Sequence, residues 1–318
     1  RFFFYSPNLL WWLLTIVMWN IFPYDIHNEA WRSADAAMIV KACLKRVVFN
    51  YSIVMLYYGF WHVMIPKLCH RPFLGLNKQN NTKKNWNKIL HNIFYTSVGS
   101  IQWSLIECGF IHGYATEKLP YVTMEQILGT SSSTTKITSG KKILGQLVFY
   151  YVAWSLFVVI IRDFHFYITH RLIHLRCFYK YIHSLHHRNT DIEPFSGMAM
   201  HPVEHFYYYT CYGPLLLFSV HPFMVMWMGV HVTISPACAH SGWEDHWQCD
   251  LMHYLHHISY DCNYGGAALP FDRWFGTYKD KLEPTYHTKY NTTTTNNNTN
   301  SSNDNPNDNH HQQQQQQR

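Results

Sequence analysis

Charged side chains are scarce. Asp, Glu, Lys and Arg make up 14% of the 318 residues, against about 25% in an ordinary soluble domain. That shortage argues against a fully solvated surface and points to lipid. The net charge of +6 is modest, and lysines such as Lys83, Lys84, Lys88, Lys136, Lys141 and Lys142 fall in connecting stretches with no basic aromatic platform between them. Nucleic acid is therefore not an expected partner. No CxxC pair occurs among the eight cysteines, at 43, 69, 108, 177, 211, 238, 249 and 262, so neither a zinc ribbon nor a disulfide framework is predicted. They read as reduced packing residues facing a membrane or the cytosol. The chain opens on Arg1, as a trimmed sequence would, so the lack of a signal peptide excludes nothing.

Apolar residues, by contrast, come in long stretches: Leu9 to Phe22, Val47 to Ile65, Ile93 to Ile111, Leu144 to Ile161 and Pro214 to Thr233. A membrane span needs about 20 such residues, which the last four approach and the first does not. Gly213, Pro214, Pro222 and Gly229 mark the last stretch as a broken or re-entrant hairpin. Asn50 and Glu107 interrupt the second and third; a polar contact between helices explains them better than catalysis. Mean hydropathy is only −0.21 because of the polar end and the His-rich half. The reading is an all-α, polytopic membrane bundle of about four transmembrane helices, with a His-rich helical cap holding a dinuclear metal site. Its parts are N-terminal membrane and interfacial helices (1–140), a catalytic domain (141–285) and a disordered Asn/Thr/Gln-rich tail (286–318).

Histidine carries the chemistry. Three clusters occur: His170-x3-His174, His183-x2-His186-His187 and His253-x2-His256-His257. With 23 His in 318 residues, an HxxHH string is expected on the order of 0.1 times by chance, yet two are present. Positions i, i+3 and i+4 share a side of a helix, so each cluster is expected to offer its imidazoles to one point. The isolated histidines His27, His62, His70, His91, His112, His310 and His311 read as ordinary packing or surface residues. Eight imidazoles suit iron, zinc or copper rather than magnesium or calcium. They exceed the four ligands of one structural zinc, so two metals are expected, and their natural use beside lipid is O2 activation against an unactivated C–H bond. A zinc hydroxide hydrolase would need fewer histidines and a carboxylate.

The order and spacing of Asp163-Phe-His-Phe-Tyr-Ile-Thr-His170-Arg171-Leu-Ile-His174, Tyr181-Ile-His183-Ser-Leu-His186-His187, His240-Ser-Gly242, His253-Tyr-Leu-His256-His257, Asn263-Tyr264-Gly265 and Phe271-Asp272-Arg273-Trp274-Phe275-Gly276-Thr277 resemble the sterol desaturase and fatty acid hydroxylase superfamily. The resemblance runs from about Leu144 to Tyr278. It implies a multi-pass endoplasmic-reticulum membrane protein with a cytosolic di-iron centre. The centre would use O2 and electrons from NAD(P)H through cytochrome b5 and its reductase, and zinc is a further metal such a site would retain on purification.

Carried over by position, the resemblance implies His170, His174, His183, His186, His187, His253, His256 and His257 as metal ligands, with His240 as the ninth. His201 and His205 are candidates for a further ligand, against the plainer reading that His201 caps the helix opened by Pro202. No catalytic residue is expected beyond the ligands. Asp163 and Glu204, and among surface acids Glu244, Asp245 and Asp250, are candidates for holding the second ring nitrogens. Arg171 and Asp272-Arg273 are expected to pair and fasten the C-terminal segment over the site.

The Met-His-Pro context at residues 200–202 and the His-Ser-Gly step favour a sterol substrate and a C5 ring desaturation of the lathosterol oxidase type. The stretch Met198 to His205 departs from the usual C5-desaturase text. Sterol hydroxylation, methyl-sterol oxidation, C24 side-chain dealkylation and fatty acid or ether-lipid hydroxylation therefore stay open. A His-rich metal transporter places ligands within its spans, and a bis-histidine haem carrier uses only two to four histidines; both leave most of these histidines unexplained.

Overall fold

The computed structural model describes residues 7–68, 85–129, 140–242, 249–266 and 269–281. Every extended element among them is helical: α1 (Pro7–Ile21), α2 (Ala36–Leu68), α3 (Trp86–Ala115), α4 (Gly140–Ile173), α5 (Pro202–Tyr209), α6 (Pro222–Ala239) and α7 (Cys249–Ser259), joined by shorter turns. A single bridge, Tyr121 with Val220, is the only strand-like pairing in the described part. The described residues up to Asp280 belong to one compact unit; the tail expected over 286–318 lies outside the described residues.

The expected apolar stretches reappear as helices, with differences that follow from polarity. Among the described residues two segments are both long and apolar enough to cross a membrane, Lys142–Ile173 and Pro222–Ala239. The first is largely exposed and the second largely buried. α2 and α3 have 33 and 30 residues, or about 50 and 45 Å, but turn polar groups inward. Asn50 on α2 and Tyr24 both donate to the Glu107 carboxylate of α3, the interhelical contact the sequence suggested. The outward faces stay apolar: Leu44, Val48, Leu56 and Phe60 on α2, and Leu144, Val148, Phe149, Val152, Leu156 and Ile160 on α4, are exposed. Such contiguous apolar surface belongs against lipid or a partner.

The stretch Pro214 to Thr233 does break, at Phe218 to His221, between a short turn of Gly213–Leu217 and α6. Pro222 opens α6 with the His221 side chain accepting from the Phe223 amide at 3.2 Å, a favourable helix start. Gly229 does not break the helix. Its missing side chain admits the Trp103 ring, which would lie 2.4 Å from an added Cβ. α6 is thus the central helix, buried from Pro222 to Ala237 and packed on α1, α2, α3 and α4. Tyr58 of α2 donates to its Thr233 carbonyl at 2.8 Å.

The C-terminal ends of α2, α4 and α6 and the N-terminal end of α3 meet at one end of the bundle, where the segment 189–199 crosses. Gly197 in that segment lies against the end of α6: an added Cβ would sit 2.4 Å from the Pro236 carbonyl oxygen. Backbone cannot step aside as a side chain can, so Gly197→Ala must shift either segment. A loss of about 1–3 kcal/mol is expected from such overpacking, read as a lower midpoint in thermal unfolding of the detergent-solubilised protein. An unchanged midpoint would refute the close approach.

Candidate metal centre

Two groups of buried histidines occupy this end. His170, His174, His183, His187 and His256 form one; His186, His240, His253 and His257 form the other. Within each group one ring nitrogen per residue lies within 4.8 Å of all the rest. The expectation that each cluster serves one point is corrected here. His183 and His187 enter the five-histidine group while His186, between them in sequence, enters the four-histidine group; His253 and His257 enter the four while His256 enters the five. At 3.6 residues per turn, positions i and i+4 lie about 40° apart around a helix, whereas i+3 and i+4 lie about 100° apart. Each HxxHH string therefore contributes to both groups, and the two strings interlock them. A π-helical turn at Tyr179–His183 leads into the first, such widened turns being frequent at functional sites.

The second ring nitrogens decide what the groups offer. His170 Nδ1 is 2.7 Å from the Tyr264 carbonyl, His256 Nδ1 2.7 Å from that of Cys262, His240 Nδ1 2.9 Å from that of Pro236, and His186 Nδ1 3.4 Å from that of Ala199. A carbonyl oxygen only accepts, so these Nδ1 atoms carry the proton and each neutral ring turns an unprotonated Nε2 inward. His183 Nδ1 meets Glu204 Oε1 at 2.7 Å; burial raises the Glu204 carboxyl well above the usual carboxylate range, and its ionised form, which a bound cation favours, accepts the Nδ1 proton. The inward nitrogens crowd together: His170 and His183 Nε2 are 3.2 Å apart, His174 and His256 3.2 Å, His187 and His183 3.0 Å. In the other group His240 Nε2 lies 3.0 Å from His253 Nε2 and 3.1 Å from His257 Nε2.

Lone pairs facing at these distances without a proton between them repel. A cation among them removes the conflict, and nitrogens bound at about 2.0–2.1 Å to one ion sit about 3–3.4 Å from their neighbours. The donor set therefore fits transition-metal ions. Burial, and next the charges of neighbouring rings, hold His183, His187, His253 and His257 well below the usual histidine range; burial brings His240 to about 4. All are neutral near pH 7, the form that ligates.

Comparison with known proteins agrees with this geometry. A family model, Fatty acid hydroxylase, matches residues 155–277. Over those residues, less than half of the chain, the sequence is similar to the fatty acid hydroxylase family. The chain is 27% identical over 133 residues to a Delta(7)-sterol 5(6)-desaturase from Eremothecium gossypii, covering 40% of this chain and 37% of that protein. It is 32% identical over 127 residues to a Delta(7)-sterol 5(6)-desaturase from Gibberella zeae, covering 38% and 36%. It is also 31% identical over 144 residues to a very-long-chain aldehyde decarbonylase from Oryza sativa subsp. indica, covering 41% and 53%. The match thus spans little more than a third of the desaturases' length. No solved structure matches.

Within the matched residues the structure brings together all nine histidines read as ligands from the sequence. The two further candidates are not. His201 caps α5, its Nδ1 accepting from the Val203 amide at 3.2 Å, because Pro202 after it starts a helix. His205 is buried beneath Gly99 and faces the Met198 carbonyl at 3.0 Å. Of the acids, Glu204 holds His183, one α-helical turn placing it inward from the His201 cap. Asp163 takes the Arg162 guanidinium at 2.8 Å, and no contact to a histidine is described for it. Asp250 pairs with the Ser241 hydroxyl; Glu244 and Asp245 lie outside the described residues.

The pairing of Arg171 with Asp272 does not form. Asp272 instead accepts from the amides of Tyr264 and Gly265, each at 2.8 Å, and from the Thr277 hydroxyl at 2.7 Å, while Arg171 reaches the Tyr167 hydroxyl at 3.2 Å. A carboxylate gains more from two converging amides in a buried turn than from a long side chain at its rim. The effect still bears on the site, since that turn presents the Tyr264 carbonyl to His170. Sequence reading misses the carbonyl partners altogether, and it misses Glu193, a half-buried acid six residues past His187.

Proposed function

We propose that this chain is a membrane oxidoreductase that uses two iron ions and O2 to oxidise a C–H bond of a sterol, introducing a ring double bond of the C5 type. The observation that carries this reading is the convergence of nine imidazoles in two interlocked, buried groups. It is supported by the match to the hydroxylase family and by the desaturases among the relatives.

Two iron ions bound there would supply the one-electron steps by which O2 is reduced and a C–H bond is broken. The chain's own groups prepare that chemistry. The Tyr264, Cys262, Pro236 and Ala199 carbonyls and Glu204 fix which ring nitrogen faces inward, and held second nitrogens strengthen ligation. Tyr179, Tyr260 and Tyr264 pack on His174 and His187 with ring centroids 4.8–5.7 Å apart. That aromatic wall keeps water from the inner face. Whether a second hydrogen leaves or oxygen is inserted is then set by how the substrate carbon is held. Electrons from NAD(P)H through cytochrome b5 and its reductase, an endoplasmic-reticulum membrane and a cytosolic face for the centre complete the proposal.

Gas chromatography with mass spectrometry of sterols and fatty acids, from cells with and without the gene, tests it. Disappearance of one ring-unsaturated sterol with build-up of its saturated precursor is the expected result. An unchanged sterol profile with altered hydroxylated or ether lipids would overturn the sterol assignment.

A further inference from the structure

The two histidine groups differ in what braces them: a carboxylate holds one ring of the first, and only backbone carbonyls are described on the second. In the five-histidine group three rings are held through Nδ1 at 2.7 Å, one of them by the Glu204 carboxylate, and every brace lies within residues 155–277. In the four-histidine group the Pro236 carbonyl holds His240 at 2.9 Å and the Ala199 carbonyl faces His186 at 3.4 Å; no partner is described for His257 Nδ1, as none is for His187 Nδ1 in the other group. No carboxylate is described on any of its rings. Glu193, a half-buried acid, is close enough for its charge to act on His240.

Glu193 is tied to two helices outside the matched residues. His62 Nδ1 of α2 meets its Oε2 at 2.8 Å, and Asn92 Nδ2 of α3 donates to its Oε1 at 2.8 Å. Asn92 also donates to Asn189 Oδ1 at 3.0 Å, and the Asn189 amide donates to the His186 carbonyl at 3.1 Å. The carboxylate further accepts from the Phe195 amide at 3.0 Å, starting the turn that ends at Ala199, whose carbonyl faces His186. Thr96 of α3 holds the same turn at the Phe195 carbonyl, at 3.0 Å.

We infer that Glu193, clamped by His62 and Asn92, is the positioning residue of the four-histidine metal site, so that the N-terminal helices set the occupancy of one metal and not the other. The inference rests on the dinuclear metal reading above. Asn92 and Glu193 together fix both ends of the segment that carries His186, through its backbone and through its ring. Glu204 does the corresponding work for the five-histidine site from within the matched residues.

Purified full-length protein, loaded with ferrous iron and titrated with a chelator, separates these roles by counting metal per chain. Wild type should retain two; a chain that takes up none would remove the metal reading itself. Glu193→Ala and His62→Ala should each retain one tightly, with the other bound about 10–100-fold more weakly, as loss of an outer hydrogen bond gives. Glu204→Ala should likewise retain one. Because the carboxylates serve different sites, Glu193→Ala/Glu204→Ala should retain none. Glu193→Gln, which keeps an acceptor for Asn92, should recover most of the lost affinity. If the double variant still holds one metal, or if Glu193→Ala and His62→Ala hold two as tightly as wild type, the assignment of Glu193 is wrong. Should Glu193→Ala not fold, His62→Ala decides alone, since its ring is at the edge of the cluster with 17% of its side chain exposed.

Discussion

Replacing His256 with alanine is expected to lower turnover by about 10³-fold or more while leaving membrane insertion intact, and His186→Ala should do the same from the other histidine group. The two residues are fully buried and sit one in each group. Each is also the i+3 member of its HxxHH string, the one that crosses to the neighbouring group. Removing it therefore unlinks the two groups as well as deleting a ligand. His256→Ala also strands the Cys262 carbonyl that its Nδ1 holds. A metal centre contributes several kcal/mol to such a barrier, and each 1.36 kcal/mol is tenfold in rate. Insertion should survive because the exposed apolar faces of α2 and α4 do not involve these rings. The checks are product formation in isolated membranes and carbonate extraction of the variant. Retained activity in either variant would sink the assignment of these rings as ligands.

The centre was legible in the sequence to the level of residue identity and no further. His170, His174 and the two HxxHH strings stand out because helical spacing puts their members on adjacent positions, and spacing is what a sequence records. Which group each ring joins depends on roughly 100° of rotation between neighbours and on where a second helix lies, so the crossing of His186 and His256 was not visible. The bracing carbonyls of Tyr264, Cys262, Pro236 and Ala199 leave no trace at all, because any residue type supplies a carbonyl. Glu204 was found through its closeness to other motif residues; the same rule named Asp163, which went to Arg162 instead. Glu193 was missed for a related reason. Its partner His62 is 131 residues away, and only the packing of α2 and α3 brings them together. The long apolar stretches did announce the bundle, though not that α6 would be its buried centre, since an apolar run reads the same against lipid as against protein.

Acidification should open the histidine cap of the metal-free protein between about pH 6 and pH 5, well before ordinary carboxylate titration would. Burial, then the charges of neighbouring rings, hold His183, His186, His187 and His253 well below the usual histidine range. The same holds for His256 and His257, and burial brings His205 and His240 to about 4. In the opened chain each returns to about 6.5. Below that value the opened state takes up protons that the folded cap refuses, so stability present above about pH 6.5 is lost as pH falls toward the folded values. One such histidine costs up to about 1.4 kcal/mol per pH unit. Eight together cost on the order of 10 kcal/mol per unit, comparable with the whole stability of a typical domain. Opening should be local, because α1 and α2 carry none of these rings. Hydrogen exchange of residues 183–187 and 253–257, followed against pH with chelator present, should show protection collapsing in that window. Metal competes with protons for the same nitrogens, so loading with iron should move the collapse to lower pH. Protection that persists in the chelated protein down to pH 4.5 would mean that the rings are not held neutral by burial. A collapse that iron does not move would mean that they are not the ligands.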